Sequence, residues 1–222
     1  MTAQLKIDFV SDVACPWCAV GLGALEQAIV RLGDTVEVDM HFQPFELNPQ
    51  MPPGGQDLGE HLSEKYGSTP EQRAQIYETI RQRGEDVGFT FSAEGRKRIY
   101  NTLDAHRLLH WSGYAGPRGA QYALKKALLQ AYQGRAENIE SHAVLLAAVA
   151  EAGLDVAQAR AILESGEFKA EVRALEGYYQ RAGINAVPAV IINDKHLISG
   201  GQPVEVFERA LREIAAQPAQ AH

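Results

Sequence analysis

The stretch SDVACPWC, residues 11–18, decides the fold, and it contains both cysteines of the chain, Cys15 and Cys18. An alternating apolar segment at residues 5–10 precedes it and predicts a strand. Apolar residues at helical spacing follow it and predict a helix as far as about residue 32. A strand, a turn with two cysteines three positions apart and then a helix are typical of a dithiol redox site.

The helix start accounts for the order of these residue types. We place Cys15 at the N-cap, so that Pro16 occupies the first helical position, where its missing N–H would have no partner anyway. Unpaired amides and the positive end of the helix dipole stabilise an anion there, so we expect Cys15 to be an exposed thiol with a pKa below the usual value of about 8.5. Cys18, one turn further, is then the resolving thiol that releases a mixed disulfide.

Elements on both sides of this helix predict a split α/β unit. Residues 36–42 alternate between apolar and polar side chains, which predicts an edge strand parallel to the first. Near the end of the chain, residues 187–193 and 196–199 predict a hairpin, and residues 203–215 predict an amphipathic helix.

Pro188 stands at the start of this late strand. A cis bond between Val187 and Pro188 would leave the backbone groups of Val187 open to an extended peptide or to glutathione. An ordinary trans proline at the start of a strand is the alternative. On the first interpretation, Val187 and Pro188 face Cys15 across one site.

A long tract between the two halves is predicted to be helical, with residues 89–91 as the one candidate strand. We interpret Arg96-Lys97-Arg98 in this tract as a solvated face. The predicted helices cover residues 57–66, 69–85, 95–111, 117–132, 141–152 and 155–165.

This order of elements predicts an α/β protein with a thioredoxin-like fold that carries an inserted all-helical domain. The first half of the thioredoxin-like domain is predicted at residues 1–50, the helical insertion at 51–165, the second half at 166–217 and a tail at 218–222.

Composition excludes several classes of protein. The chain has 222 residues and a formal net charge of −7, which argues against general nucleic-acid binding. Its longest apolar run is far shorter than the roughly 20 residues that a membrane-spanning helix needs. The first residues resemble a strand rather than a secretory signal, so we expect a cytoplasmic protein in which thiols stay reduced.

Zinc binding and a purely structural role are both less favoured for the cysteine pair. A structural zinc site needs four ligands, and the chain has no second cysteine pair and no clear metal-ligand spacing among its seven histidines. We therefore expect no metal. In the purely structural role, Cys15 and Cys18 would be two inert buried cysteines.

Several segments together resemble one family. SDVACPWC resembles the active-site segment of the DsbA-like thioredoxin-fold family and is most similar to its FrnE-like branch of cytoplasmic dithiol–disulfide isomerases. The similarity covers essentially the whole chain. It includes PFELNP at 44–49, NT at 101–102 with AHRL at 105–108, and GI at 183–184 and VP at 187–188 with SGGQP at 199–203.

The resemblance implies a thioredoxin fold with a helical insertion, a redox-active Cys15–Cys18 pair and a cis Pro188. Some relatives carry an additional cysteine pair late in the chain. This chain has only two cysteines, which excludes any mechanism that needs four.

Further candidates surround this pair. Pro16, Trp17 and Val187 are candidate substrate-binding residues, with Trp17 as an aromatic contact in a peptide groove. Asp12 either tunes a thiol or a proton relay, or it only forms the turn before the helix. His106 either approaches Cys15 from the insertion and lowers its pKa as a cation, or it packs as a buried histidine on an apolar helix face.

The leading interpretation is a thiol–disulfide oxidoreductase or isomerase that acts on protein or small-molecule disulfides by a mixed-disulfide mechanism. It needs no metal or organic cofactor, takes glutathione as a candidate co-substrate, and works as a monomer or homodimer. The alternative is a glutathione-dependent isomerase or transferase similar to the 2-hydroxychromene-2-carboxylate isomerases and kappa-class transferases, which usually carry serine in place of the first cysteine. In a non-catalytic binding module, the third class, the thiols would be dispensable.

Overall fold

A four-stranded mixed sheet lies at the centre of the computed structural model, which describes residues 2–217. Its strand order is β2-β1-β5-β6, and a separate two-stranded pair joins β3 to β4. The strands are β1 (Ala3–Ser11), β2 (Val36–Pro44), β3 (Gln56–Asp57), β4 (Arg98–Ile99), β5 (Ala189–Ile192) and β6 (His196–Ser199).

Helices account for most of the rest of the described chain. They are α1 (Pro16–Leu32), α2 (Leu58–Tyr66), α3 (Pro70–Asp86), α4 (Leu103–Ala115), α5 (Ala120–Leu129), α6 (His142–Glu151), α7 (Val156–Glu164), α8 (Lys169–Arg181) and α9 (Val204–Ala215). A π-helical turn at Gln130–Gly134 continues α5. No helix within residues 2–217 is both long enough and apolar enough to span a membrane.

Strand β1 organises the sheet because it has a partner on each side. It pairs in parallel with β2, and it pairs antiparallel with β5, where Val10 lies opposite Ala189. Both faces of β1 are covered, and Ile7 and Phe9 are fully buried. The predictions that β2 is a parallel edge strand and that the last two strands form a hairpin are confirmed. The pairing of Val10 with Ala189 places the end of β1 beside the start of β5, which Pro188 directly precedes.

Helix α1 carries the cysteine motif to the sheet. Cys15 is its N-cap with an extended backbone, Pro16 is the first helical residue, and Gly33 closes the helix with φ of 52°. Its buried face contains Cys18 and Leu25, and α9 packs against α1 with Phe207 and Leu211 buried. The N-cap position predicted for Cys15 is therefore confirmed.

The segment between β2 and α8 differs from the prediction at its middle. The helix predicted at 95–111 begins only at Leu103, because residues 98–99 pair with 56–57 and the Asn101 side chain accepts a hydrogen bond from the Leu103 amide. Residues 89–91 form no strand; their phenylalanine rings pack with centroids 4.8 Å apart. The predicted division into domains stays a prediction, and residues 218–222 of the predicted tail lie outside the described residues.

Candidate active site

The two cysteines stand one helical turn apart at the start of α1, and both are free thiols. The chain turns into the helix through a hydrogen bond from the Cys15 amide to the Asp12 carbonyl, at 3.2 Å. The Cys18 amide donates to the Cys15 carbonyl at 3.1 Å. The structure therefore describes the reduced form of the pair.

Cys15 is the more acidic thiol. Its pKa is lowered chiefly because the Cys18 thiol donates a hydrogen bond to it, and the amides of Cys18 and Trp17 act in the same direction. Burial and the negative charge of Asp12 oppose this shift without reversing it. An anion at a helix start gains from such unpaired amides, so the local structure favours a Cys15 thiolate.

Cys18 behaves in the opposite way. Its thiol is fully buried, and burial is the main cause that raises its pKa well above the usual value. The neighbouring Cys15 sulfur raises it further, while Lys125 opposes the shift. Two identical side chains three residues apart therefore differ in their tendency to ionise.

The expectation that Cys15 is exposed is wrong. Only 5% of the residue is accessible, because the segment before β5 lies over it and the thiol donates to the Val187 carbonyl oxygen at 3.5 Å. Val187 is half-buried, and the Val187–Pro188 peptide bond is cis, as the resemblance implies. A thiolate cannot donate a hydrogen bond, so ionisation of Cys15 releases the Val187 carbonyl.

Pro16 and Trp17 are half-buried beside the thiol. A Cβ atom at Gly201 would lie 3.0 Å from the Trp17 carbonyl, and one at Gly21 would lie 3.0 Å from Cγ of Pro188. Glycine at both positions therefore lets α1 lie close to the loops before β5 and before α9. This contact positions the Pro188 segment over the cysteines.

Asp12 forms the turn and also lies within electrostatic reach of the thiols. Its Oδ1 accepts from the Ala14 amide at 3.0 Å and its Oδ2 from the Leu47 amide at 2.8 Å. Burial raises the pKa of Asp12, but His106 and these two amides outweigh it, so that the pKa is lowered overall. These contacts fit the interpretation of Asp12 as the residue that forms the turn, and its role in tuning a thiol or a proton relay stays a prediction. Its negative charge raises the pKa of Cys15.

His106 does not contact Cys15, which corrects the idea that it approaches that thiol. The ring is buried, and its Nε2 faces Oδ1 of Asp12 at 3.5 Å because the carboxylate, not the sulfur, lies against it. Any effect of His106 on the thiol therefore passes through Asp12.

Two side chains from the helical segment, which sequence reasoning missed as site residues, hold the active-site turn. Arg96 donates to the Ala14 carbonyl at 3.0 Å, and Gln133 donates to the Val13 carbonyl at 2.7 Å. The solvated face predicted at residues 96–98 is thus wrong for Arg96, which is half-buried, whereas Lys97 and Arg98 are exposed as predicted. Arg98 also donates to the backbone carbonyls of Gly54 and Gly55 before β3. Nothing local in the sequence marks these long-range contacts.

Lys125 is a third residue that sequence reasoning missed. It is fully buried on α5, and its Nζ has no hydrogen-bond partner within the described part of the chain. Burial lowers its pKa, while Cys18, Asp12 and Cys15 raise it, with Cys18 the strongest of the three. The helical period was a usable signal, because Lys125 precedes Leu128 and Leu129 by three and four positions on the buried face.

No group of three or more His, Cys, Asp or Glu side chains within residues 2–217 is arranged to hold a metal ion. The expectation that the protein needs no metal stays a prediction.

Comparisons with known proteins agree on one family. Residues 6–212 match the family model described as the DSBA-like thioredoxin domain. The chain is 29% identical to the uncharacterized protein YwbO of Bacillus subtilis (strain 168), over 96% of this chain and 98% of that protein. It is also 29% identical to a solved structure described as the probable DsbA oxidoreductase SCO1869 from Streptomyces coelicolor. That match has a TM-score of 0.87 and covers 98% of this chain and 93% of the other.

Two more distant structures show likeness of fold alone. A 2-hydroxychromene-2-carboxylate isomerase has a TM-score of 0.70 at 12% identity, covering 94% of this chain and 95% of the other. The cytosolic disulfide reductase DsbM from Pseudomonas aeruginosa, solved with GSH, has a TM-score of 0.62 at 16% identity, covering 96% of this chain and 100% of the other. The predicted thioredoxin-like fold class is confirmed by the family match and by the Streptomyces coelicolor structure.

Proposed function

The chain belongs to the DSBA-like thioredoxin domain family, and from this premise we propose that it is a thiol–disulfide oxidoreductase in which Cys15 and Cys18 are the reactive pair. The observation that carries the proposal is the placement of two free thiols at one helix start, with Cys15 at the N-cap under the Val187 carbonyl and Cys18 fully buried one turn further. The opposite shifts of their pKa values support it. A low-pKa thiol is a nucleophile at neutral pH, and a high-pKa thiol beside it stays protonated until it is needed.

The reaction starts with attack of the Cys15 thiolate on one sulfur of a substrate disulfide. A bond forms between Cys15 Sγ and that sulfur, and the other substrate sulfur leaves with the electron pair and takes a proton. Cys18, after losing its proton, then attacks Cys15 Sγ and releases the second substrate thiolate. The two protein thiols are oxidised to a disulfide, and the substrate disulfide is reduced to two thiols.

The segment over Cys15 supports a peptide-like substrate. The Val187 carbonyl faces the thiol and becomes free when Cys15 ionises, so it can accept a hydrogen bond from the backbone of an extended peptide or of glutathione. Half-buried Pro16 and Trp17 lie beside it and offer apolar contact. Protein or small-molecule disulfides are the proposed substrates, with glutathione as a co-substrate and without a metal or organic cofactor.

We place the activity in the cytoplasm and in the direction of reduction or isomerisation. Cytoplasmic thiols are kept reduced, which returns the oxidised pair to the dithiol form. The likeness in fold to DsbM, a cytosolic disulfide reductase, agrees with this proposal. The FrnE-like branch and the choice between monomer and homodimer stay predictions.

The alternative is a glutathione-dependent isomerase or transferase. The fold shared with a 2-hydroxychromene-2-carboxylate isomerase favours it, and a helix start that stabilises a Cys15 thiolate can stabilise the thiolate of bound glutathione as well. That reaction has no step for Cys18. The requirement for Cys18 therefore separates the two functions.

The test compares wild type with Cys15→Ser and Cys18→Ser in the reduction of insulin and of a glutathione-mixed disulfide. We expect Cys15→Ser to abolish turnover and Cys18→Ser to accumulate a substrate adduct on Cys15, detected by mass spectrometry. Circular dichroism and thermal unfolding check that both variants are folded. Full activity in Cys15→Ser would overturn the proposed function, and full activity in Cys18→Ser would overturn the role of Cys18 as the resolving thiol. Absence of disulfide reduction by wild type would favour the isomerase or transferase.

A further inference from the structure

Lys125 extends from α5 into the interior between the helical segment and the sheet. Its Nζ is fully buried and lies 5.9 Å from the ring centroid of Phe42, on β2. No polar atom within residues 2–217 accepts a hydrogen bond from it. Burying an ammonium group without a hydrogen bond destabilises the folded protein, so other interactions must explain why Lys125 is buried here.

The groups that face Lys125 supply these interactions. Cys18, Cys15 and Asp12, at or just before the start of α1, interact with its charge, and Phe42 contributes only its ring. The Asp12 carboxylate is already bound by two backbone amides, and it is also paired with a histidine. In the mixed disulfide Cys15 is covalently bound, so the Cys18 sulfur is the neighbouring group whose charge changes in the second half of the exchange.

The geometry points to Lys125 as a positioning residue for the second half of the exchange: its side-chain nitrogen takes up the proton of Cys18 and holds a positive charge beside the Cys18 thiolate. This inference rests on the proposed function and adds a residue to it. Burial lowers the pKa of Lys125, which favours a neutral amine that can accept a proton, and the charge of Lys125 opposes the raised pKa of Cys18.

Asp12 and His106, two other buried ionisable side chains of the site, do not fit this task. Asp12 has a lowered pKa, so it is a weak base, and its negative charge opposes a thiolate. His106 directs its Nε2 to Asp12. Neither His106 Nε2 nor Lys125 Nζ has a hydrogen-bond partner among the described residues, but the His106 nitrogen lies 3.5 Å from the Asp12 carboxylate.

Proton and electron pair both have a defined destination in this step. In the mixed disulfide, Cys15 Sγ is bound to a substrate sulfur and Cys18 carries a proton. The proton moves to the neutral amine of Lys125, and the Cys18 thiolate attacks Cys15 Sγ. The Cys15–Cys18 bond forms, the bond from Cys15 to the substrate breaks, and the electron pair leaves on the substrate thiolate. Lys125 then loses its proton to the departing thiolate or to water.

The test uses the reduced full-length protein and dithiobis-nitrobenzoate, an aromatic disulfide whose thiolate is coloured. The first release of colour reports attack by Cys15, and the second reports attack by Cys18 on the mixed disulfide. We expect Lys125→Met to slow the second release at pH 7 by about 10-fold or more, while the first changes by less than about two-fold. Higher pH should restore the second release, because hydroxide can then remove the Cys18 proton.

Lys126→Met is the matched control, because Lys126 is the next residue of the same helix but has an exposed side chain that pairs with Glu26. It should release both thiolates at wild-type rates. Lys125→Gln is a second neutral variant, and it should show the same slow second release. Chemical unfolding separates a structural role from the proposed one, since Met in place of an unpaired buried cation should leave the protein as stable as wild type or more stable.

A second release at the wild-type rate in both neutral variants would overturn the inference and leave the proposed function intact. The same rate loss in Lys126→Met, or a slow release that high pH does not restore, would also overturn it. Failure of the first release in wild type would instead contradict the proposed function, so the two failures are distinguishable.

Discussion

The outer and inner sides of the dithiol are made from different parts of the chain. On the outer side, Cys15 meets helix-start amides and the Val187 carbonyl, and its pKa is lowered. On the inner side, Cys18 is surrounded by the core and by Lys125 from the helical segment, and its pKa is raised. One helical turn thus separates a site that stabilises an anion by hydrogen bonds from one that opposes it by burial.

The largest expected effect is a difference in alkylation rate between the two thiols. We expect iodoacetamide at pH 7 to modify Cys15 at least about 100-fold faster than Cys18, because the thiolate is the nucleophile and each unit of pKa changes its population about ten-fold. Timed quenching and peptide mass spectrometry measure both rates. Each thiol is also measured in the variant that lacks the other, Cys18→Ser or Cys15→Ser.

Unfolding in urea is the control for this measurement, since both thiols should then react at similar rates. Equal rates in the folded protein, or faster modification of Cys18, would contradict the assignment of the outer thiol as the nucleophile. The 5% accessibility of Cys15 makes its absolute rate lower than that of an open thiolate, but it does not favour Cys18, which is fully buried.

Asp12→Asn tests the charge that lies between the two sides. We expect it to lower the free energy of unfolding at pH 7 by about 2–4 kcal/mol, because an amide NH2 would face one of the two backbone amides and the pairing with His106 is lost. The pKa of Cys15 should fall further, since the Asp12 charge now raises it. Urea unfolding and the ultraviolet absorbance of the thiolate measure the two effects.

The effect on stability should depend on pH with a defined sign. The folded-state pKa of Asp12 is lowered, so its contribution to stability is fully present above the unfolded pKa of about 3.9 and is lost as pH falls through the folded value. The difference between wild type and Asp12→Asn should therefore shrink below about pH 4. Asp155→Asn is the control, since Asp155 also accepts hydrogen bonds from two backbone amides but is exposed. We expect this substitution to lower the free energy of unfolding by only a few tenths of a kcal/mol.

The outer side could be predicted from the sequence because its determinants are local. The helix start, the proline after Cys15, the alternating strands and the final hairpin all follow from neighbouring residues, and each was found in the structure. The prediction that Cys15 is exposed failed because the Val187 carbonyl that covers it lies 172 positions away in the chain.

The inner side could not be predicted in the same way. Arg96 and Gln133 reach the active-site turn across 82 and 120 positions, and only tertiary packing brings them there. His106 was a candidate for approaching Cys15 from the helical insertion, but its partner proved to be Asp12 instead of Cys15. Lys125 carried a periodic signal on a buried helix face, and that signal did not reveal which group it faces.

The smallest expected effect concerns the contact that positions the outer side. Gly21→Ala adds a Cβ on α1 at 3.0 Å from Pro188 Cγ and 3.3 Å from Gly201 Cα. Overpacking costs about 1–3 kcal/mol, and the better helix propensity of alanine offsets about 1 kcal/mol of this cost. We therefore expect the free energy of unfolding to fall by about 0–2 kcal/mol. Gly177→Ala on α8 is the control, because its Cβ meets only the flexible end of Arg181, and it should gain up to about 1 kcal/mol.

Gly21→Ala should also act on one side of the dithiol only. The added methyl group presses on Pro188, and Val187 before it holds the Cys15 thiol, so the alkylation rate of Cys15 should change by a few-fold while that of Cys18 stays within error. Chemical unfolding and the same timed alkylation measure both effects. If Cys18 responded as strongly as Cys15, the two sides would be mechanically coupled through α1, and their separation into an outer and an inner environment would not hold.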